Sequence, residues 1–193
     1  MIIGVLAVQG AFIEHRNMLD MLGVNSMEIR NKMDLSKSFD GIILPGGEST
    51  VMGKLLCDLD MIDDIRQYIS KGMPVFGTCA GMILLAKTIV NSPMKHLGTM
   101  DISVVRNAYG RQLGSFNAVA SFHGEGEKQI PMPFIRAPYI ESVGEDVNVL
   151  SRINGRIVAA QQGRQLVTSF HPELTKDPLV HRHFLKLVKD YLQ

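Results

Sequence analysis

Along the first half of the chain, short apolar runs alternate with stretches whose apolar residues recur at helical spacing. Ile2 to Val8 is uninterrupted, as expected of a strand buried on both faces of a parallel sheet. Gln9-Gly10 breaks it. Ala11 to Leu22 then carries Phe12, His15, Leu19 and Leu22 near helical spacing, and Gly23 follows as a stop. Asn25 to Arg30 alternates weakly as a second strand, and Gly41 to Leu44 is a third, ending at Pro45-Gly46-Gly47. Ser49 to Cys57 and Met61 to Ser70 read as helices, the second closed by Lys71-Gly72. Pro74 to Gly77 reads as a strand and Met82 to Val90 as a helix. Repeated βα units of this kind predict a parallel, doubly wound sheet with helices on both faces.

From Met100 to Val167 the pattern changes to short β-like pieces: Ile102 to Val105, Ser115 to Phe122, Phe134 to Arg136, Val147 to Leu150 and Arg156 to Ala160. Turn signals at Ala108-Tyr109-Gly110, Gly124-Glu125-Gly126 and Asn154-Gly155 separate them, and the last predicts a hairpin. Gln165 to Phe170 is a final strand and Pro178 to Leu192 a C-terminal helix. With no repeat, linker or low-complexity segment, residues 1–193 read as one domain. The expected fold class is α/β, with three layers: a mostly parallel central sheet flanked by helices, plus a small antiparallel insertion.

Composition narrows the function. The chain has 193 residues, 46% hydrophobic and 20% charged, a globular balance able to bury a core without staples. A net charge of +1 argues against a nucleic-acid binder and against a polybasic membrane-surface protein. The uncharged run Gly72 to Ala86 falls short of the roughly 20 residues of a membrane span. The opening run lacks the basic start of a signal peptide, so a cytoplasmic protein is expected. Two cysteines make neither a disulfide scaffold nor, alone, a structural zinc site. Each is then core filler or a reactive thiol. Cys57, in Leu55-Leu56-Cys57-Asp58-Leu59, is assigned to packing.

Cys79 has a different setting. Gly77-Thr78-Cys79-Ala80-Gly81 joins a strand to a helix and has the Gly-x-Cys-x-Gly form of a nucleophile elbow. Small neighbours let the chain fold back on both sides, and the helix N-terminus beside the sulfur favours thiolate. A buried cysteine in a glycine-rich turn would look the same.

A thiol nucleophile needs a base, and the base an orienter. His171-Pro172-Glu173 follows the apolar strand ending at Phe170, so it shares the carboxyl edge of the sheet with Cys79. Pro172 disfavours helix at His171, and in an extended segment His171 and Glu173 point to one side. A strand-to-helix turn with a capping acid is the plainer reading. His181 and His183, two apart on a helix, make a poor metal pair. They, His96, His123 and His15 read as solvated or partly packed. A third signal is Leu44-Pro45-Gly46-Gly47-Glu48-Ser49-Thr50, which follows a strand and opens a helix. Its backbone N–H groups suit an oxyanion. It lacks the Gly-Lys-Ser/Thr ending of a phosphate loop, and a plain turn capped by Ser49 is the alternative.

In this order the three segments resemble the class I (triad) glutamine amidotransferases. Val8-Gln9-Gly10-Ala11 with Glu14-His15, Arg106-Asn107 with Gly110-Arg111-Gln112, Phe134 to Pro138 and Ser169 to Thr175 are similar to the glutaminase branch that serves pyridoxal 5′-phosphate synthases. The resemblance runs nearly end to end. It implies a flavodoxin-like fold, no cofactor and no metal, and hydrolysis of L-glutamine to glutamate and ammonia. Cys79 would attack, His171 would shuttle the proton, and Glu173 would orient His171. Gly47 and Ala80 N–H groups would hold the oxyanion. Gly47, Glu48, Ser49, Arg106, Ile135 and Arg136 would bind glutamine. Ammonia would pass to a separate (β/α)8 synthase subunit, with Glu14 and His15 as a docking surface and the Gly46-Gly47 loop reset by docking.

Ile83 is aliphatic where many class I amidotransferases carry glutamine, and the pyridoxal-synthase branch is apolar there. Two other readings remain: a catalytically silent binding subunit on the same fold, and a γ-glutamyl hydrolase acting alone. The intact Cys79, His171 and Glu173 set weighs against the first. Arg106 and Ile135-Arg136 weigh against the second.

Overall fold

Apolar faces on both sides of the N-terminal strands force them between two layers of helices. The structure, a computed structural model, describes residues 1–106, 115–124 and 126–193. Asn107, the turn Ala108-Tyr109-Gly110, Arg111, Gln112 and Glu125 lie outside the described residues. In chain order the first elements are β1 (Ile2–Leu6), α1 (Phe12–Met21), β2 (Asn25–Ile29), α2 (Lys32–Leu35) and β3 (Gly41–Leu44). Next come α3 (Ser49–Asp58), α4 (Ile62–Ser70), β4 (Val75–Thr78), α5 (Ala80–Leu85), β5 (Ala86–Ile89) and β6 (Met100–Val105). The remainder are β7 (Ser115–Phe122), β8 (Lys128–Ile135), β9 (Tyr139–Val143), β10 (Asn148–Ile153), β11 (Arg156–Gln162), β12 (Gln165–Thr168) and α6 (Leu179–Leu192).

One sheet runs in the order β2-β1-β3-β4-β12-β11-β9-β6-β5, with β10 paired to β11. The pairs from β2 to β12 are parallel, and those from β12 to β6 are antiparallel. The antiparallel part is thus continuous with the parallel one, while β7 and β8 form a separate ribbon. Side chains alternate across the sheet. Ile42 and Leu44 of β3 and Val75 of β4 pack with Met52, Leu56 and Ile65 of α3 and α4. Ile43 and Phe76 face the other way, onto Leu19 of α1, Phe184 and Val188 of α6, and Phe134 of the ribbon. The hairpin at Asn154-Gly155 is present, with positive φ at both residues (50° and 78°), as a tight I′ turn requires.

Three expectations need correction. The helix expected over Met82 to Val90 starts at Ala80 and stops at Leu85. Ala86–Ile89 is strand β5, paired in parallel with β6. Thr88, Ile89 and Val90 are β-branched and favour the extended edge. Cys57 is exposed, not core filler, because it lies on the outer face of α3, with Met52, Gly53 and Leu56 turned inward. His15, His181 and His183 are buried (0%, 0% and 7% exposed), and His96 is buried at 5%. Among the described residues no helix is long and apolar enough to cross a membrane.

His15 and His181 join α1 to α6 through a 3.0 Å contact between His15 Nδ1 and His181 Nε2. Burial, then the proximity of His181 and His171, holds the His15 pKa well below 6.5. Burial pulls His181 down to about 3. Both rings are neutral when folded but protonate near 6.5 when unfolded. The unfolded chain then binds more protons, so their contribution is present above pH 6.5 and is lost as pH falls towards 3. Unfolding free energy measured in urea should drop between pH 6.5 and about 5, before most carboxylates titrate. His181→Leu should make that slope shallower; an unchanged slope would contradict the assignment. A second expectation concerns Gly81, whose added Cβ would overlap the Leu44 carbonyl oxygen of β3. Gly81→Ala should cost about 2 kcal/mol or more by denaturation.

Candidate active site

β4 and β12 lie side by side in parallel, with Thr78 opposite Thr168, so the segments leaving them emerge together at the carboxyl edge. Cys79 is the first residue past β4. Its backbone takes φ 47°, ψ −98°, a left-handed conformation that a β-carbon makes unfavourable. The neighbours hold it there. Cys79 N–H donates to Thr168 O at 2.8 Å, and Ile83 N–H donates to Cys79 O at 3.3 Å. A Cβ on Gly77 would stand 2.7 Å from the Gly81 carbonyl carbon, so the turn closes only without one. The thiol is 7% exposed and its Sγ lies 4.0 Å from the Ile135 carbonyl.

Past β12, His171 N–H donates to Pro133 O of β8 at 2.9 Å, which fixes the ring against the ribbon. Pro172–Leu174 is a 3-10 turn, not the extended segment expected. Pro172 supplies the fixed φ that opens such a turn. Glu173 nevertheless reaches back, and His171 Nδ1 lies 2.7 Å from its Oε1. Cys79 is the other neighbour that favours the charged ring. Burial disfavours it. The Glu173 carboxylate and the Cys79 side chain together outweigh burial and raise the His171 pKa to about 10. The Glu173 side chain is fully buried. No Cβ fits at Gly46, because the His171 ring lies against it.

A cleft of about 560 Å³ opens over the sulfur. Its lining includes Cys79, His171, Gly47, Glu48, Ser49, Arg106, Ile135 and Arg136, so every residue expected to bind substrate reaches one place. Ala80, the first residue of α5, is buried beside Cys79. Its N–H lies in the first turn, where helix N–H groups have no partner within the helix. The cap of α3 is Glu48 rather than Ser49. Its carboxylate accepts from Thr50 N–H (3.1 Å) and Val51 N–H (2.7 Å), leaving Ser49 inside the helix and buried. Arg106 Nη2 lies 3.1 Å from Thr50 Oγ1 and 3.5 Å from Glu48 Oε1. Burial raises the Glu48 pKa, but the Val51 and Thr50 donors and Arg106 lower it further. Arg136 holds a left-handed φ of 45°, a strain of about 1–3 kcal/mol for a residue with a side chain.

Sequence reasoning missed Gln9. Its side-chain oxygen accepts from Glu48 N–H at 2.9 Å, and Ala11 N–H donates to Gly46 O at 2.9 Å. The break after β1 therefore grips the glycine loop. The Gln9-Gly10 interruption was the signal. Ile83 also lines the cleft. The expected docking pair separates: Glu14 is half-buried on α1, whereas His15 lies wholly beneath the site because it is on the helix face that packs inward. Cys57 faces a different depression, with Asp60, Asp63, Arg66 and Lys95. Among the described residues no group of three His, Cys, Asp or Glu is arranged to hold a metal ion.

The chain is 57% identical over 194 residues to the pyridoxal 5′-phosphate synthase subunit PdxT of Streptococcus pneumoniae (strain CGSP14), covering 99% of each. It is 56% identical over 190 residues to the PdxT subunit of Haemophilus influenzae (strain PittEE), covering 97% of this chain and 98% of that one. A crystal structure of a glutamine amidotransferase superposes with a TM-score of 0.91 at 44% identity, over 97% of this chain and 98% of the other. PurLQS from Thermotoga maritima shares the fold alone, with a TM-score of 0.72 at 18% identity over 100% of this chain and 99% of that one. The profile of the SNO glutamine amidotransferase family spans residues 5–190, and the chain belongs to that family.

Proposed function

We propose that this chain is the glutaminase subunit of a pyridoxal 5′-phosphate synthase, a cytoplasmic enzyme that hydrolyses L-glutamine to L-glutamate and ammonia. The observation that carries the reading is His171 held by Glu173 and lining one cleft with Cys79, which sits on a left-handed elbow. Family membership and the names of the 57% and 56% identical relatives support the substrate and the pathway.

The chemistry follows from where protons sit. With its pKa raised to about 10, His171 takes the Cys79 proton and holds it as an imidazolium at neutral pH. The thiolate attacks the side-chain amide carbon of glutamine, and the carbonyl oxygen takes the negative charge. Gly47 and Ala80 N–H groups stabilise that oxyanion, a contribution of about 3 kcal/mol per donor. His171 gives its proton to the amide nitrogen, the C–N bond breaks, and ammonia leaves a γ-glutamyl thioester on Cys79. Water then adds to the thioester, His171 takes its proton, and the C–S bond breaks to release glutamate and the thiolate. Glu173 holds the ring in one tautomer and balances its charge through both steps. Glu48, Ser49, Arg106, Ile135 and Arg136 orient the substrate. A guanidinium suits its carboxylate and an acid its ammonium.

Ammonia passes to a (β/α)8 synthase subunit. Glu14 belongs to the docking face, while His15 is buried. Docking resets the Gly46-Gly47 loop, which Gln9 and Ala11 hold in the free chain. Glutamate release should therefore be low for the free chain and rise clearly with purified synthase subunit; equal rates would sink the gating. Cys79→Ala should abolish release, a loss of about 1000-fold or more. Cys57→Ala should retain most of it. The reverse pattern would overturn the site.

A further inference from the structure

Beneath the triad lies a histidine pair, drawn from opposite ends of the chain. His15 of α1 and His181 of α6 are wholly buried, with His15 Nδ1 3.0 Å from His181 Nε2. On its other side, His15 Nε2 lies 3.1 Å from the Thr78 hydroxyl and 3.6 Å from Glu173 Oε1. Thr78 immediately precedes Cys79, and Glu173 holds His171. One imidazole therefore touches both arms of the reacting pair.

What each nitrogen faces settles the tautomers. His181 Nδ1 is buried and has no hydrogen-bond partner. A neutral imidazole carries one N–H. Placing it on Nδ1 would bury an orphan donor, which is rarer and costlier than an orphan acceptor. The hydrogen is therefore on Nε2, and His181 donates to His15 Nδ1. Having accepted there, His15 carries its own hydrogen on Nε2 and donates it to Thr78 Oγ1, with the Glu173 carboxylate 3.6 Å away. The opposite assignment would strand the His181 N–H and set a His15 lone pair against a carboxylate. Both ends of the line select the same arrangement.

We propose that His15 and His181 are a neutral, tautomer-locked pair that positions the triad, with His15 fixing the Glu173 carboxylate and the Thr78–Cys79 turn together. The proposal rests on the triad reading above. Glu173 Oε1 faces both rings, His171 Nδ1 at 2.7 Å and His15 Nε2 at 3.6 Å, while its Oε2 has no hydrogen-bond partner. The groups facing His15 are His181 from α6, Thr78 and Phe76 from β4, and Glu173 and His171 from the segment after β12. A neutral donor orients the carboxylate and leaves its full charge for the imidazolium. A cation at His15 would compete with His171 for that charge.

Two measurements decide it. In the unmutated protein, nitrogen NMR with labelled histidine should show His15 and His181 both neutral and both Nε2–H at neutral pH. A His15 Nδ1–H form or a charged His15 overturns the proposal. In the complex with the synthase subunit, His15→Leu and His181→Leu should each lower kcat about ten-fold with little change in KM for glutamine. They should also shift the pH profile of Cys79 alkylation. His15→Gln, which restores an N–H near Nε2, should recover most of the loss. Folded His15→Leu protein with unchanged kcat and alkylation profile overturns the positioning role. Cys79→Ala run alongside separates the two claims: activity retained there sinks the triad itself. If His15→Leu does not fold, the tautomers and His181→Leu still decide.

Discussion

Cys79 can hold a left-handed backbone only because the chain on both sides of it is pressed against neighbouring strands that leave no room for a β-carbon. Gly81 abuts the Leu44 carbonyl of β3, Gly77 abuts Gly81, and the Cys79 N–H is taken by Thr168 of β12. Three strands of the parallel sheet thus fix one residue. That constraint sets the direction of the sulfur, and the rest of the site is arranged around it. His171 comes from the strand that accepts the Cys79 N–H, and the glycine loop comes from the strand that crowds Gly81. Strain of this kind persists only where the surroundings over-determine it.

The same side chain serves opposite electrostatic ends within this region. His171 is stabilised as a cation because a carboxylate and the sulfur face it. His15 and His181 are equally sealed from water but face each other, a hydroxyl and the edge of that carboxylate, and burial keeps them neutral. Desolvation acts on all three in the same direction; only the partner within hydrogen-bond reach decides the outcome. One buried negative charge, on Glu173, is thereby reserved for one positive charge.

The parallel half of the fold was legible because strands buried on both faces read as continuous apolar runs. The elbow was legible because Gly-x-Cys-x-Gly has few uses between a strand and a helix. Strand β5 was not: α5 is wholly buried, so its apolar run continues into Ala86, and the exposed pair Lys87-Thr88 fits the outer face of a helix as readily as an edge strand. His15 was misread because a lone polar residue at helical spacing fits either face; its partner His181 is 166 positions away. Gln9 looked like a strand breaker because its bond to Glu48 is likewise long-range. Cys57 failed for the opposite reason. Its apolar neighbours suggested burial, whereas at 100° per residue Leu56 and Cys57 point to different sides of α3.

The antiparallel part of the molecule explains how such a rigid centre can still be adjusted. Strand ends of the parallel sheet supply Cys79, His171 and the glycine loop. The opposite wall, Ile135 and Arg136, comes from the end of the separate β7–β8 ribbon. The ribbon meets the triad through the His171 N–H to Pro133 and the Ile135 carbonyl near the sulfur. It then turns away at Arg136 through a strained residue. The reacting atoms are thus held by the sheet, and the substrate wall by a ribbon that packs on the sheet through Phe134 and braces His171. Movement of the ribbon would reach His171 through Pro133, whereas movement of the Gln9-held loop would change oxyanion geometry with the His171–Glu173 bond intact. The docking proposed above would act most cheaply on that loop, because it does not carry the strain that aims the sulfur.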